Sequence, residues 1–290
     1  MSGGANKKMN WRPLRGIDKS QLRGARLQAH FAAQWLARFA RAYISPQPDD
    51  EHTNLSWDGS SDEFTTHPSK NGMRLSLQVP NLTLTLHDGN GAAGSQSLSL
   101  NGHTQMQVRQ WFGECLSRRS LDAGALDGLS PYAIPPHGIA QGAAYDAAGS
   151  PDALVEIAAW FTNGEILLDG IQNLMIERKL AASPVRCWPH HFDLSTLTTL
   201  PKHGADTAGY VGIGLSPGDE YYDEPYFYVS VYPKPDPSTL PTLPMFGHWH
   251  THEFMAAVVP AHKVYSAKDQ KSETNEFLLC ATDLALKILS

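Results

Sequence analysis

The stretch SPVRCWPHHFDLS, Ser183 to Ser195, ends a long helical period and packs Trp, Pro, two His and Asp into the six residues from Trp188 to Asp193. Upstream of it, Ser150-Pro151-Asp152 supplies an N-cap, a first-turn Pro and a first-turn acid. Ile157, Phe161, Gly164, Leu168, Ile171 and Met175 then follow a three-four spacing to about Leu180, which predicts a helix with a kink at Asn163-Gly164. Downstream, strands are expected at Tyr210–Leu215 and Tyr226–Tyr232, separated by the loop SPGDEYYDEP. A Pro-rich span leads to GHWHTHE and the apolar run Phe254 to Val259. A last helix is expected over about Ser272 to Leu289, with Phe277, Ala281, Leu284 and Ile288 inward.

The first half of the chain has the same order. Phe31, Trp35, Phe39 and Tyr43 recur every four residues within an amphipathic helix from about Lys19 to Ile44, which Ser45-Pro46 stops. Past an irregular acidic stretch the period changes to two: Met73, Leu75, Leu77 and Val79, then Leu82, Leu84 and Leu86, alternate with polar residues. These predict a hairpin turning at Pro80-Asn81. Ser97 to Leu100 gives a third strand, and a helix from about Thr104 to Arg118 turns Val108, Trp111, Phe112, Cys115 and Leu116 inward. The expected fold is α+β: two similar helix-strands-helix halves around mainly antiparallel sheet. Residues 1–15 read as a loosely attached arm, 16–120 as the first half, 121–150 as a Gly, Pro and Ala-rich connector at the boundary, and 151–290 as the second half. His52-Thr-Asn-Leu-Ser56 after the first stop echoes His191-Phe-Asp-Leu-Ser195 after the second, which suggests an internal duplication.

Composition narrows the partners. A net charge of -6 offers no general attraction to phosphate backbones or anionic lipid, so nucleic acid is not expected. No run approaches the roughly 20 apolar residues of a membrane span, and the N-terminus lacks the apolar core of a signal peptide. Cys115, Cys187 and Cys280 are odd in number and far apart, which fits a reducing cytoplasm and neither a disulfide framework nor a thiolate zinc site.

Trp188-Pro-x-His191-Phe-Asp-Leu194, Ser216-Pro-Gly-Asp219 and Glu224-Pro-Tyr226-x-Tyr228-Val229, in that order, resemble the WPxHFDL, SPGD and EPYxYV signatures of a group of uncharacterised bacterial proteins sharing a domain of unknown function. The resemblance is clear over residues 183–232 and implies a bacterial cytoplasmic protein of enzyme size, with no mechanism attached. GHWHTHE departs from that group's pattern.

The residues suited to chemistry fall in three places. His191 and Asp193 form one pair; His248, His250 and His252 form a run whose even positions share one face of a strand. Only adjacent members of the run can reach a common ion, so a zinc or iron site would join one His pair to His191 and Asp193. The loop after Ser216 carries Asp219, a candidate for acid-base work beside a turn set by Pro217-Gly218. The residue types predict a small-molecule enzyme, metal-assisted or not. Its cleft would lie between the halves, with His191, Asp193 and Asp219 catalytic, Trp188 and Tyr226 on the substrate, and His191, Asp193, His248, His250 and His252 as candidate metal ligands. The alternative is a non-catalytic ligand-binding or structural protein in which WPHHFD is a packing and hydrogen-bonding hub. Cys187 is a weaker candidate, as a nucleophile without a base, and the glycines of Gly209-Tyr-Val-Gly-Ile-Gly214 read as those of a crowded strand.

Overall fold

The computed structural model describes residues 9–89, 94–200, 209–243 and 246–290. It is an α+β protein in which two long helices, α1 (Lys19–Tyr43) and α3 (Pro151–Glu177), pack on each other between two antiparallel sheets. The first sheet holds β1 (Ser56–Asp58), β2 (Glu63–Thr65), β3 (Arg74–Gln78), β4 (Thr83–His87) and β5 (Gln96–Ser99) in sequence order. Helix α2 (Gln105–Ser117) follows, opened by a capping box between Thr104 and Gln107. The second sheet runs β11 (His248–His250), β12 (Ala256–Pro260), β10 (Tyr226–Tyr232), β9 (Gly209–Ser216), β8 (Asp193–Leu200), β6 (Ala181–Ala182), and β7 (Arg186–Trp188) also pairs with β8. Helices α4 (Ala261–Ser266) and α5 (Gln270–Ile288) close the chain.

Alternation sets the two faces of the second sheet. Leu194, Ile213, Leu215, Phe227, Val229 and Val259 are fully buried on the side covered by α3 and α5. The strand partners Asp193, Ser216, Gly214, Tyr226, Tyr228 and Ser230 occupy the other side. That polar side carries the candidate site.

The hairpin at Pro80-Asn81 forms as expected, with Leu75 opposite Leu86 and Leu77 opposite Leu84. Its four-residue loop ends in a left-handed residue, Leu82, at φ 48°. Two further hairpins, Asp58–Glu63 and Trp188–Asp193, have the same loop length and the same final conformation, at Asp62 and Phe192, each φ 58°. The left-handed Phe192 is therefore a property of this turn rather than strain peculiar to a site. Ser56–Thr65 and Arg186–Ser195 share one register, and Leu55 bridges to Cys187 between the sheets. His52 lies before its hairpin whereas His191 lies inside its own, so the five-residue echo aligns positions that are not equivalent.

Other expectations change in contact with the fold. Helix α3 runs unbroken through Asn163-Gly164. A Cβ on Gly164 would come within 2.7 Å of Leu215, so this glycine allows close approach to β9. The connector is itself packed: Leu126, Ile139 and Tyr145 are buried in the same cluster as residues from both halves. Residues 9–15 of the expected arm are tied down. The Arg12 N–H donates to Asn163 Oδ1 and the Arg12 carbonyl accepts from Asn163 Nδ2, both at 2.8 Å, and Leu14 is buried. Residues 1–8 of that arm lie outside the described residues. No described helix is long and apolar enough to cross a membrane.

Candidate functional site

The hairpin Trp188–Asp193 reaches from the sheet toward α1 and presents two sides. One side is packing. Phe192 is buried, stacks on His30 at 5.1 Å with planes 6° apart, and joins Phe64 and Phe161. His30 Nε2 and Gln34 Nε2 both donate to the Pro189 carbonyl at 2.8 Å. Burial pushes the His30 pKa down to about 4, so the ring is neutral at pH 7.

The other side is chemical. Asp193 starts β8, is 9% exposed, and lines a cleft of about 330 Å³ with His191, Ser216, Asp219, Tyr226 and Tyr228. The Tyr228 hydroxyl donates to Asp193 Oδ2 at 2.5 Å, and Oδ1 is buried with no partner among the described residues. Burial raises the carboxyl above the usual aspartate range, against the opposing pull of the Tyr228 hydrogen bond and of His191. The reach of Tyr228 depends on β9, which lies between β10 and β8. A Cβ on Gly214, its strand partner, would sit 2.4 Å from Tyr228 Cζ. The absent side chain leaves room for the ring to cross β9 to Asp193, and this accounts for part of the glycine spacing in Gly209–Gly214.

Asp219 lies on the same cleft with both oxygens engaged. Oδ1 accepts the N–H groups of Tyr221 at 2.9 Å and Tyr222 at 3.0 Å, while Oδ2 accepts the Tyr226 hydroxyl. It shapes the loop and fixes Tyr226, which is itself buried. Glu224 is also tied, to Lys19 Nζ at 2.9 Å and to the His262 ring at 2.8 Å. Burial raises its pKa, but these bonds outweigh that and hold it below the usual range. A second chamber of about 170 Å³ adjoins the cleft, lined by Arg26, His30, His190, Gly218 and, in common with the cleft, His191, Asp219 and Glu220. His190 lies against His191, ring centroids 4.2 Å apart, and burial followed by that neighbour pushes its pKa down to about 4.

The structure brings His191, Asp193, Asp219 and Tyr226 to one cleft, His250 stacks at 4.1 Å on its lining residue Phe254, and the other expected residues do not line it. Trp188 lines a different cavity of about 500 Å³ between the halves, with Arg186, His52, Asn54 and Lys70. His248 and His250 do share one strand face, where Nε2 of the first and Nδ1 of the second meet the Tyr222 hydroxyl at 2.8 and 3.1 Å. His252 falls beyond β11, and its carbonyl lies 2.6 Å from His250 Nε2. Among the described residues no three His, Cys, Asp or Glu side chains gather so as to hold a metal ion. The expected zinc or iron set of His191, Asp193, His248, His250 and His252 is therefore not gathered at one point; the imidazoles of His248 and His250 meet Tyr222 and the turn after β11 instead. Cys187 is fully buried and its thiol pKa is raised well above the ordinary value by burial beside Asp193, which removes it as a nucleophile.

Sequence reading missed Tyr228 and Arg26. Tyr228 could have been found from Gly214, since a two-residue alternation of glycine against a neighbouring aromatic strand signals a ring crossing it. Arg26 had no such signal on the helix. Comparison of the chain with protein-family models, with curated proteins and with solved structures finds no match, so its functional reading rests on its own residues.

Proposed function

We propose that the protein is a small-molecule enzyme whose proton-transferring group is Asp193, working with His191 in the cleft on the polar face of the second sheet. The observation that supports this is a carboxyl group nine-tenths buried, held at one oxygen by Tyr228 and left without a partner at the other. A buried polar atom without a partner costs about 1–3 kcal/mol, and at the wall of a cleft a ligand can supply that partner. Burial raises its pKa, which favours a group that takes up a proton and delivers it to a substrate oxygen or nitrogen. Exposed at the mouth of the cleft, His191 would exchange that proton with solvent. The setting we propose is the reducing cytoplasm, supported by three free cysteines.

The hub reading has its own support in Pro189 and Phe192, which are held by α1 and the aromatic core. The two readings disagree about Asp193→Asn. The folded-state pKa of Asp193 lies above its unfolded value, so between the two the folded protein binds more protons and stability falls as pH rises. Under the enzyme reading the Asn variant matches the wild type at low pH and gains about 2–6 °C in Tm at pH 8, at roughly 2 °C per kcal/mol for a chain this long. If the variant instead loses stability at both pH values, the carboxylate is held by its hydrogen bonds rather than penalised by burial, and that result would sink the proposal.

A further inference from the structure

Two buried side chains, a guanidinium and a carboxyl, each have one polar atom without a hydrogen-bond partner among the described residues, and they line adjoining cavities. Arg26 on α1 is 5% exposed, and its Nη1 has no hydrogen-bond partner among the described residues. Asp193 Oδ1 is in the same condition across the wall formed by His191, Asp219 and Glu220, which line both spaces. Asp219 supports the Arg26 charge through space, as do Asp223 and Glu220, but its hydrogen bonds go to Tyr221, Tyr222 and Tyr226. Gly218 lies directly against the guanidinium: a Cβ there would sit 2.1 Å from Nη1, so bare backbone clears the space around it. A buried N–H or carboxyl oxygen without a hydrogen-bond partner costs about 1–3 kcal/mol, which a bound ligand group would relieve.

We infer that cleft and chamber are one binding site for a small carboxylic acid bearing an amino or hydroxyl group, its carboxylate on Arg26 and its donor group on Asp193. The inference rests on the reading of Asp193 as the working group of the cleft. A guanidinium matches a carboxylate through paired N–H donors, and a carboxyl oxygen matches an ammonium or hydroxyl. Volumes of about 170 and 330 Å³ suit a molecule of amino-acid size. The acids at the junction, Asp219 and Glu220, favour an ammonium there over a second carboxylate, so amino monocarboxylates should bind better than dicarboxylates.

The test is calorimetry and thermal shift on the full chain with the common L-amino acids, the matching 2-hydroxy acids, and two controls for each: the primary amide, which lacks the carboxylate, and the acid lacking the amino or hydroxyl group. At least one amino or hydroxy acid should bind at millimolar concentration or better, and both of its controls should bind roughly tenfold more weakly or not at all. Arg26→Met should remove the preference for acid over amide while keeping or raising Tm, since it deletes a buried N–H group without a hydrogen-bond partner. Arg26→Lys, which keeps the charge and loses the fork, should bind the acid at intermediate strength. Acid and amide binding equally, Arg26→Met leaving affinity unchanged, or no member of the panel binding would each overturn the inference. Binding of amines or alcohols that depends on Asp193 but not on Arg26 would overturn it while leaving the cleft reading intact. Failure of the Asp193→Asn stability result would remove both.

Discussion

Gly214→Ala is the sharpest test of how the site is built. The backbone of Gly214 is not left-handed, so alanine is conformationally acceptable and, by itself, would stabilise the strand by about 0.4–1 kcal/mol through the unfolded state. Against that gain stands Tyr228, whose Cζ and hydroxyl oxygen would lie 2.4 and 2.5 Å from the new methyl group. The ring has to move by roughly 1 Å or more to restore van der Waals contact, at about 1–3 kcal/mol for overpacking. Moving it also breaks the hydrogen bond to Asp193, worth about 1.5–3 kcal/mol when the acceptor is charged. The net expectation is a loss of about 2–5 kcal/mol, or about 4–10 °C in Tm. Gly212→Ala is the control: its methyl would meet the Ser230 hydroxyl at 2.6 Å, a small group that can rotate, so the change should stay within about 1 kcal/mol. In a Tyr228→Val background the sign of Gly214→Ala should reverse, because only the entropic gain remains. Chemical denaturation of the four proteins in that cycle measures the coupling. If Gly214→Ala is neutral in the parent, or equally harmful with valine at 228, the ring does not cross β9 and the account of Asp193 fails with it.

Other perturbations probe the frame around the site. His30 titrates near 4 in the folded state against an ordinary 6.5, so between those values the unfolded chain binds more protons and stability is lost as pH falls. Urea unfolding from pH 7 to 4 should show this decline, and His30→Gln should flatten it by close to one proton; an unchanged slope would mean that His30 is not buried as described. Asn163→Leu removes both hydrogen bonds holding the Arg12 backbone, with an expected loss of about 1–3 kcal/mol. Trypsin should then cut after Arg15 faster than in the parent, and equal rates would show that this segment is held elsewhere.

The elements that sequence alone determined are those whose side-chain period is long and uninterrupted. Phe31, Trp35 and Phe39 all fall in the core from one helix, and the leucines of 75 to 86 all fall in the core from one hairpin, because burying one face of a regular element needs no knowledge of what covers it. The residue types at His191 and Asp193 likewise marked the stretch that meets the cleft. Strands β7 and β8 were harder to see, since the loop between them holds Phe192, whose burial comes from His30 and Phe161 far along the chain. Which groups meet was decided only by tertiary structure. Pairing of β8, β9 and β10 puts Tyr228 across a bare glycine onto Asp193, α1 brings Arg26 under Gly218, and the same packing sends Trp188 to another cavity and gives the imidazoles of His248 and His250 to Tyr222. Period and composition fix the face of an element on which a side chain lies. The partner it finds there, and so the charge it carries, depends on segments that come together only when the sheets close over α1 and α3.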